Sequence, residues 1–110
     1  LALQQHARSC GQLLVPGVFS PSEVMQAKQW GSRLVKLFPA ADVGRRYWGR
    51  LQAPLGDLPW VIAAGGLILE DVQPWLQAGH GAVALGRRVI GPSGLHPDLL
   101  QFLDRSTTRR

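Results

Sequence analysis

The residue in this sequence most able to do chemistry is Lys36, set in the apolar run Leu34-Val35-Lys36-Leu37-Phe38. An ammonium group between Val35 and Leu37 is costly to bury, so two readings are open. The side chain either reaches water and guards an exposed strand edge or is held in a dry pocket. In a dry pocket, desolvation disfavours the charged form and frees an amine that can attack a carbonyl. Alternation along a strand puts Leu34, Lys36 and Phe38 on one face and Arg33, Val35 and Leu37 on the other. If the sheet closes into a barrel, Lys36 points into its packed interior near the top, with Phe38 beside it.

Two glycine turns are the next candidates. Gly65-Gly66 follows the apolar run Trp60-Val61-Ile62-Ala63-Ala64, and Gly86-Arg87-Arg88 follows Ala82-Val83-Ala84-Leu85. Glycine lets a backbone approach a ligand closely, and free amides at a helix start bind anions. Each turn is equally readable as a tight connection with no ligand. Their recurrence on successive strand ends, the second with added cations, matches the place where (β/α)8 barrels hold phosphate.

The histidines carry less. His6, His80 and His96 share no metal-ligand spacing and read as surface or capping residues. Most of the carboxylates, Glu23, Asp57, Glu70, Asp71, Asp98 and Asp104, have a role as helix-start or turn residues. Asp42 is the one placed to lean toward Lys36, with an N-cap as its other reading. No catalytic triad, P-loop or dinucleotide fingerprint is present.

These groups need elements to position them. Leu1–Ser9 reads as a helix stopped by Gly11, and Gln12–Val15 as a buried strand closed by Pro16-Gly17. Ser20-Pro21-Ser22-Glu23 is a capping box opening a helix that runs to about Trp30. The lysine strand ends at Pro39. Arg45–Ala53 reads as a helix, Trp60–Ala64 as a strand, and Glu70-Asp71 as the start of a helix carrying Val72, Trp75 and Leu76 on one side. Ala82–Leu85 is a fourth strand, and His96-Pro97-Asp98 opens a last helix with Leu99, Leu100 and Leu103. Strands that are apolar on both faces and alternate with helices predict an α/β fold with a parallel sheet.

The chain has 110 residues, 45% of them hydrophobic, enough for one domain or part of one. Residues 1–105 read as the domain and residues 106–110 as a frayed basic tail. No apolar run approaches the ~18–20 residues of a membrane span. The net charge of +5 invites a nucleic-acid reading, but the arginines are scattered rather than striped with aromatics. An acidic small substrate suits that charge, and no nucleic-acid or membrane partner is expected. The single cysteine, Cys10, offers no internal disulfide, which fits a reducing cytoplasm. Leu1 reads as a cut within a longer reading frame.

Three blocks bear a family resemblance: Leu14-Val15-Pro16-Gly17-Val18-Phe19-Ser20-Pro21-Ser22-Glu23-Val24, then Val35-Lys36-Leu37-Phe38-Pro39-Ala40, then Gly65-Gly66. In order and spacing they resemble the second half of a 2-keto-3-deoxy-6-phosphogluconate aldolase, a family that includes 4-hydroxy-2-oxoglutarate aldolases. The resemblance spans nearly the whole chain. It implies the C-terminal half of a (β/α)8 barrel with four parallel strands, a homotrimer at full length, and a class I aldolase needing no metal or other cofactor. The substrate would be a 2-keto acid attacked by Lys36 to form a Schiff base. Pro16 would line the pocket, Phe38 would pack on the keto acid, and Gly65, Gly66, Gly86 and Arg87 would bind its distal anion. The family's general-base glutamate and carboxylate-gripping arginine belong to the first half, so the fragment alone is expected to turn over little. Two positions depart from the pattern. Arg87 stands where the family has serine, and Ala64 where it has threonine. A non-catalytic anion-binding domain and a self-assembling half-barrel are the alternative readings.

Overall fold

The computed structural model describes residues 2–87 and 89–108. Its centre is a four-stranded parallel sheet in the order β1-β2-β3-β4, with β1 at Gly17–Val18, β2 at Leu34–Leu37, β3 at Trp60–Ala63 and β4 at Ala82–Val83. Helices α1 (Ala2–Ser9), α2 (Pro21–Gln29) and α6 (Val72–Gln77) lie before β1 and in the connections β1–β2 and β3–β4. The β2–β3 connection holds three short helices, α3 (Ala40–Val43), α4 (Tyr47–Arg50) and α5 (Gln52–Leu55). This is the expected α/β architecture, four parallel strands alternating with helices.

One face of the sheet is dry. Val35 and Leu37 have no exposed surface, and Val18, Val24, Ala27, Trp48, Leu51 and Val61 pack with them. A second cluster joins Ala40, Ala63, Leu67 and Trp75. The opposite face carries Leu34 beside Trp60 and Lys36 beside Ile62 in register, and Trp60 is 71% exposed.

Several elements differ from the sequence reading. The Gln12–Val15 strand is displaced, and β1 begins only at Gly17. Lys36 donates its N–H to Pro16 O at 2.9 Å; the next bond down the ladder would need a Pro16 N–H, which proline lacks. The single helix at Arg45–Ala53 is instead α4 followed by α5. Gly49 weakens it, and Pro54 cannot donate back to the preceding turn. Asp42 lies inside α3, whose N-cap is Pro39, and so does not cap.

Ser20 does cap α2. Glu23 N–H donates to Ser20 Oγ at 3.3 Å and Ser20 N–H donates to Glu23 Oε1 at 2.9 Å. Hydrogen bonds donated to the carboxylate, first by Ser20 N–H, then by the Ser20 hydroxyl and Phe19 N–H, hold the Glu23 carboxyl below its ordinary pKa. After β4 a small antiparallel hairpin appears, β5 (Ile90–Gly91) and β6 (Gly94–Leu95), which the sequence pattern does not predict. Helix α7 (Pro97–Thr108) takes in the first residues of the supposed tail, while Arg88, Arg109 and Arg110 lie outside the described residues.

Candidate active site

Lys36 is not at an edge. It sits on β2, bonded to β1 on one side and β3 on the other, so the edge-guard reading fails. Its backbone N–H is fixed by Pro16 O, and the flanking Val35 and Leu37 side chains anchor the strand in the core. Its own side chain points to the opposite face, where it is exposed rather than in a packed interior. Nζ lies 5.8 Å from the centroid of the Phe38 ring, within reach of a weak cation–π contact.

The C-terminal ends of β2, β3 and β4 converge on one cavity of about 440 Å³. Lys36 and Phe38 supply one wall, Gly65 and Gly66 the second, and Gly86 and Arg87 the third. Pro16 is not among the lining residues. It stands one strand away, half-buried, and touches the site through its bond to the Lys36 backbone. Arg87, the departure from the family pattern, faces the cavity with the others.

Close packing holds the glycine turn. A Cβ at Gly65 would lie 2.8 Å from the Phe38 ring and 2.9 Å from Pro39 Cα, and the backbone there has φ +106°. Both features demand glycine. The turn's carbonyls bind the start of α3: Ala40 N–H donates to Ala64 O at 2.7 Å and Ala41 N–H to Gly65 O at 3.0 Å. The Gly65 and Gly66 N–H groups have no backbone acceptor among the described residues. An amine, an aromatic face, two free amides and a guanidinium around one hollow suit a small anionic carbonyl compound. Among the described residues, no aspartate or glutamate lines that hollow.

Ala64, the other departure from the family pattern, also lines the cavity, as do Leu67, Ala84 and Leu85, which the sequence does not single out. Their apolar character, shared with every core residue nearby, gave no signal. His80, read from sequence as a surface or capping residue, is instead buried, 3% exposed. Its Nδ1 donates to Trp75 O at 2.9 Å, its ring lies 4.6 Å from that of Trp75, and Nε2 has no partner among the described residues. Burial holds its pKa below the ordinary value, only partly offset by the bond to Trp75 O. His96 behaves as expected, accepting the Asp98 N–H at Nδ1.

Comparison with known proteins finds relatives of the chain and of its fold. A curated relative, the 2-dehydro-3-deoxy-6-phosphogalactonate aldolase of Escherichia coli (strain K12), is 32% identical over 76 residues, covering 69% of this chain and 37% of that protein. A solved structure described as "Native KDPGal structure" matches with TM-score 0.74 and 25% identity, over 96% of this chain and 54% of its own. A cube-shaped, highly porous protein cage designed by fusing symmetric oligomeric domains shares the fold at TM-score 0.71 and 22% identity, over 96% of this chain and 46% of its own. The chain therefore spans roughly a third to a half of the length of these relatives. The family model for KDPG and KHG aldolase matches residues 2–102, and the chain belongs to that aldolase family.

Proposed function

We propose that this chain carries the Schiff-base half of a class I aldolase acting on a 2-keto-3-deoxy-6-phospho sugar acid or on 4-hydroxy-2-oxoglutarate. The observation that carries the reading is the single cavity shared by Lys36, the Gly65-Gly66 turn and Arg87. Lys36 Nζ attacks the C2 carbonyl through its lone pair, and loss of water from the carbinolamine leaves a protonated imine. A base then removes the C4 hydroxyl proton. As the C3–C4 bond breaks, its electron pair moves into the iminium, giving an enamine and an aldehyde: glyceraldehyde 3-phosphate or glyoxylate. Protonation at C3 and hydrolysis return pyruvate and the free lysine.

Phe38 would hold the apolar edge of the keto acid. The distal phosphate or carboxylate would lie on the Gly65 and Gly66 amides and the Arg87 guanidinium, which binds such groups bidentately. Because no carboxylate among the described residues lines the cavity, the base comes from elsewhere, and the chain alone is expected to form the imine without turning over. A homotrimer of complete barrels, as the resemblance implies, belongs to the same proposal. Treating the chain with pyruvate and borohydride should add one reduced adduct to its intact mass and none to Lys36→Arg. A chain that stays unmodified, yet still binds inorganic phosphate, would instead favour a non-catalytic anion-binding domain.

A further inference from the structure

We propose that a hollow around Arg45, Arg46 and Arg50, in the β2–β3 connection, binds a compact trivalent anion, a diphosphate or a tricarboxylate. It shares no lining residue with the Lys36 cavity, so the proposal stands independently of the aldolase chemistry.

The hollow holds about 400 Å³ and is lined by Val43, Gly44, Arg45, Arg46, Tyr47 and Arg50. All of them belong to the connection between the two central strands, away from the sheet's outer strands β1 and β4. The three arginines are exposed, and they meet here without a counter-charge. Among the described residues no carboxylate lines the hollow and none is ion-paired with these arginines, Asp42 nearby in sequence included. Glu23 stands within electrostatic reach, since burial first and then its charge push the Tyr47 pKa up. Its carboxylate, however, already accepts hydrogen bonds from Ser20 and Phe19.

This arrangement costs the empty chain stability. Arg46, the N-cap of α4, and Arg50, its last residue, stand one turn apart, where like charges repel. A bound anion turns that repulsion into attraction, because guanidinium forks hold phosphate and carboxylate oxygens in pairs. The walls are already set. Tyr47 Oη donates to Phe19 O at 2.7 Å, Gly44 N–H donates to Ala40 O at 3.0 Å, and Trp48 and Leu51 are buried in the core. The ligand therefore has little backbone left to order. Charge decides the class. A single phosphate group carries about two charges at most and leaves one guanidinium unmatched, whereas a trivalent anion matches all three.

Titration calorimetry at low salt tests this in an Arg87→Ser background, where the Lys36 cavity has lost its guanidinium. Sodium diphosphate or citrate should bind, the tighter of the two identifying the ligand's chemistry, and inorganic phosphate at least tenfold more weakly. Adding Arg46→Gln or Arg50→Gln should weaken binding roughly tenfold, the loss of one charge-assisted contact. Urea unfolding without ligand gives an opposite readout: Arg46→Gln should raise the midpoint by relieving repulsion, where a merely structural arginine would lower it. Four results would each overturn the proposal: no binding of either trivalent anion, binding indifferent to both substitutions, inorganic phosphate bound as tightly, or a preference for oligonucleotides that grows with their length.

Discussion

At the scale of single residues, the site depends on two positions that tolerate little. Lys36 acquires its place from its neighbours: Val35 and Leu37 fix the strand in the core, and alternation alone sends the amine to the other side. Gly65 acquires its place from Phe38 and Pro39, which leave no room for a Cβ. Gly65→Ala combines a positive φ with a clash against backbone, so it should cost about 3 kcal/mol, read as a lower urea midpoint. A midpoint unchanged from the parent would mean that the turn is looser than its packing. Arg87 can be tested by affinity. Arg87→Ser should weaken inorganic phosphate binding roughly tenfold, the loss of one charge-assisted contact, measured by titration calorimetry. Equal affinity would place the guanidinium outside the anion subsite.

At the scale of elements, legibility follows how local the determining interaction is. The α2 start was readable because Ser20 and Glu23 satisfy each other within three residues. Ser20→Ala should accordingly cost about 1 kcal/mol, seen in thermal or urea unfolding. The lysine strand was readable because it is a short run apolar on both faces but for Lys36, closed by Pro39. The β1 boundary was not, since it depends on which hydrogen bond Pro16 cannot make to a strand that lies 18 residues ahead. The split of α4 from α5 was legible in hindsight from Gly49 and Pro54. The β5–β6 hairpin was not, because Ile90 and Leu95 are 55% and 45% exposed and so impose no burial pattern. His80 was misplaced for a different reason: between Gly79 and Gly81 it looks like a turn residue, and its burial comes from packing against Trp75 of α6.

At the scale of the whole molecule, that burial has a consequence for stability. His80 is held neutral in the fold, with its pKa below the ordinary value of about 6.5, mainly because desolvation disfavours the charged ring. The unfolded chain therefore takes up the proton first. Stability is full above about pH 6.5 and falls as pH drops below it towards the lower folded value. Urea midpoints should decrease between pH 7.5 and 5.5, and His80→Gln should flatten that slope. A slope unaltered by the substitution would assign the pH dependence to other groups.

The fold itself, four parallel strands with helices between, was written in the apolar runs and their spacing. The convergence of Lys36, Gly65, Gly66 and Arg87 on one hollow was not, because it arises only when three strand ends lie side by side. Among the described residues no helix is long and apolar enough to cross a membrane. What the molecule still presents is an amine on an open face, and its chemistry is the central claim. The sequence contains two lysines, Lys28 and Lys36, so Lys28 serves as an internal control. Peptide mapping after borohydride reduction with pyruvate should find the adduct on Lys36 and leave Lys28 unmodified; equal labelling of the two, or none on Lys36, would contradict the account.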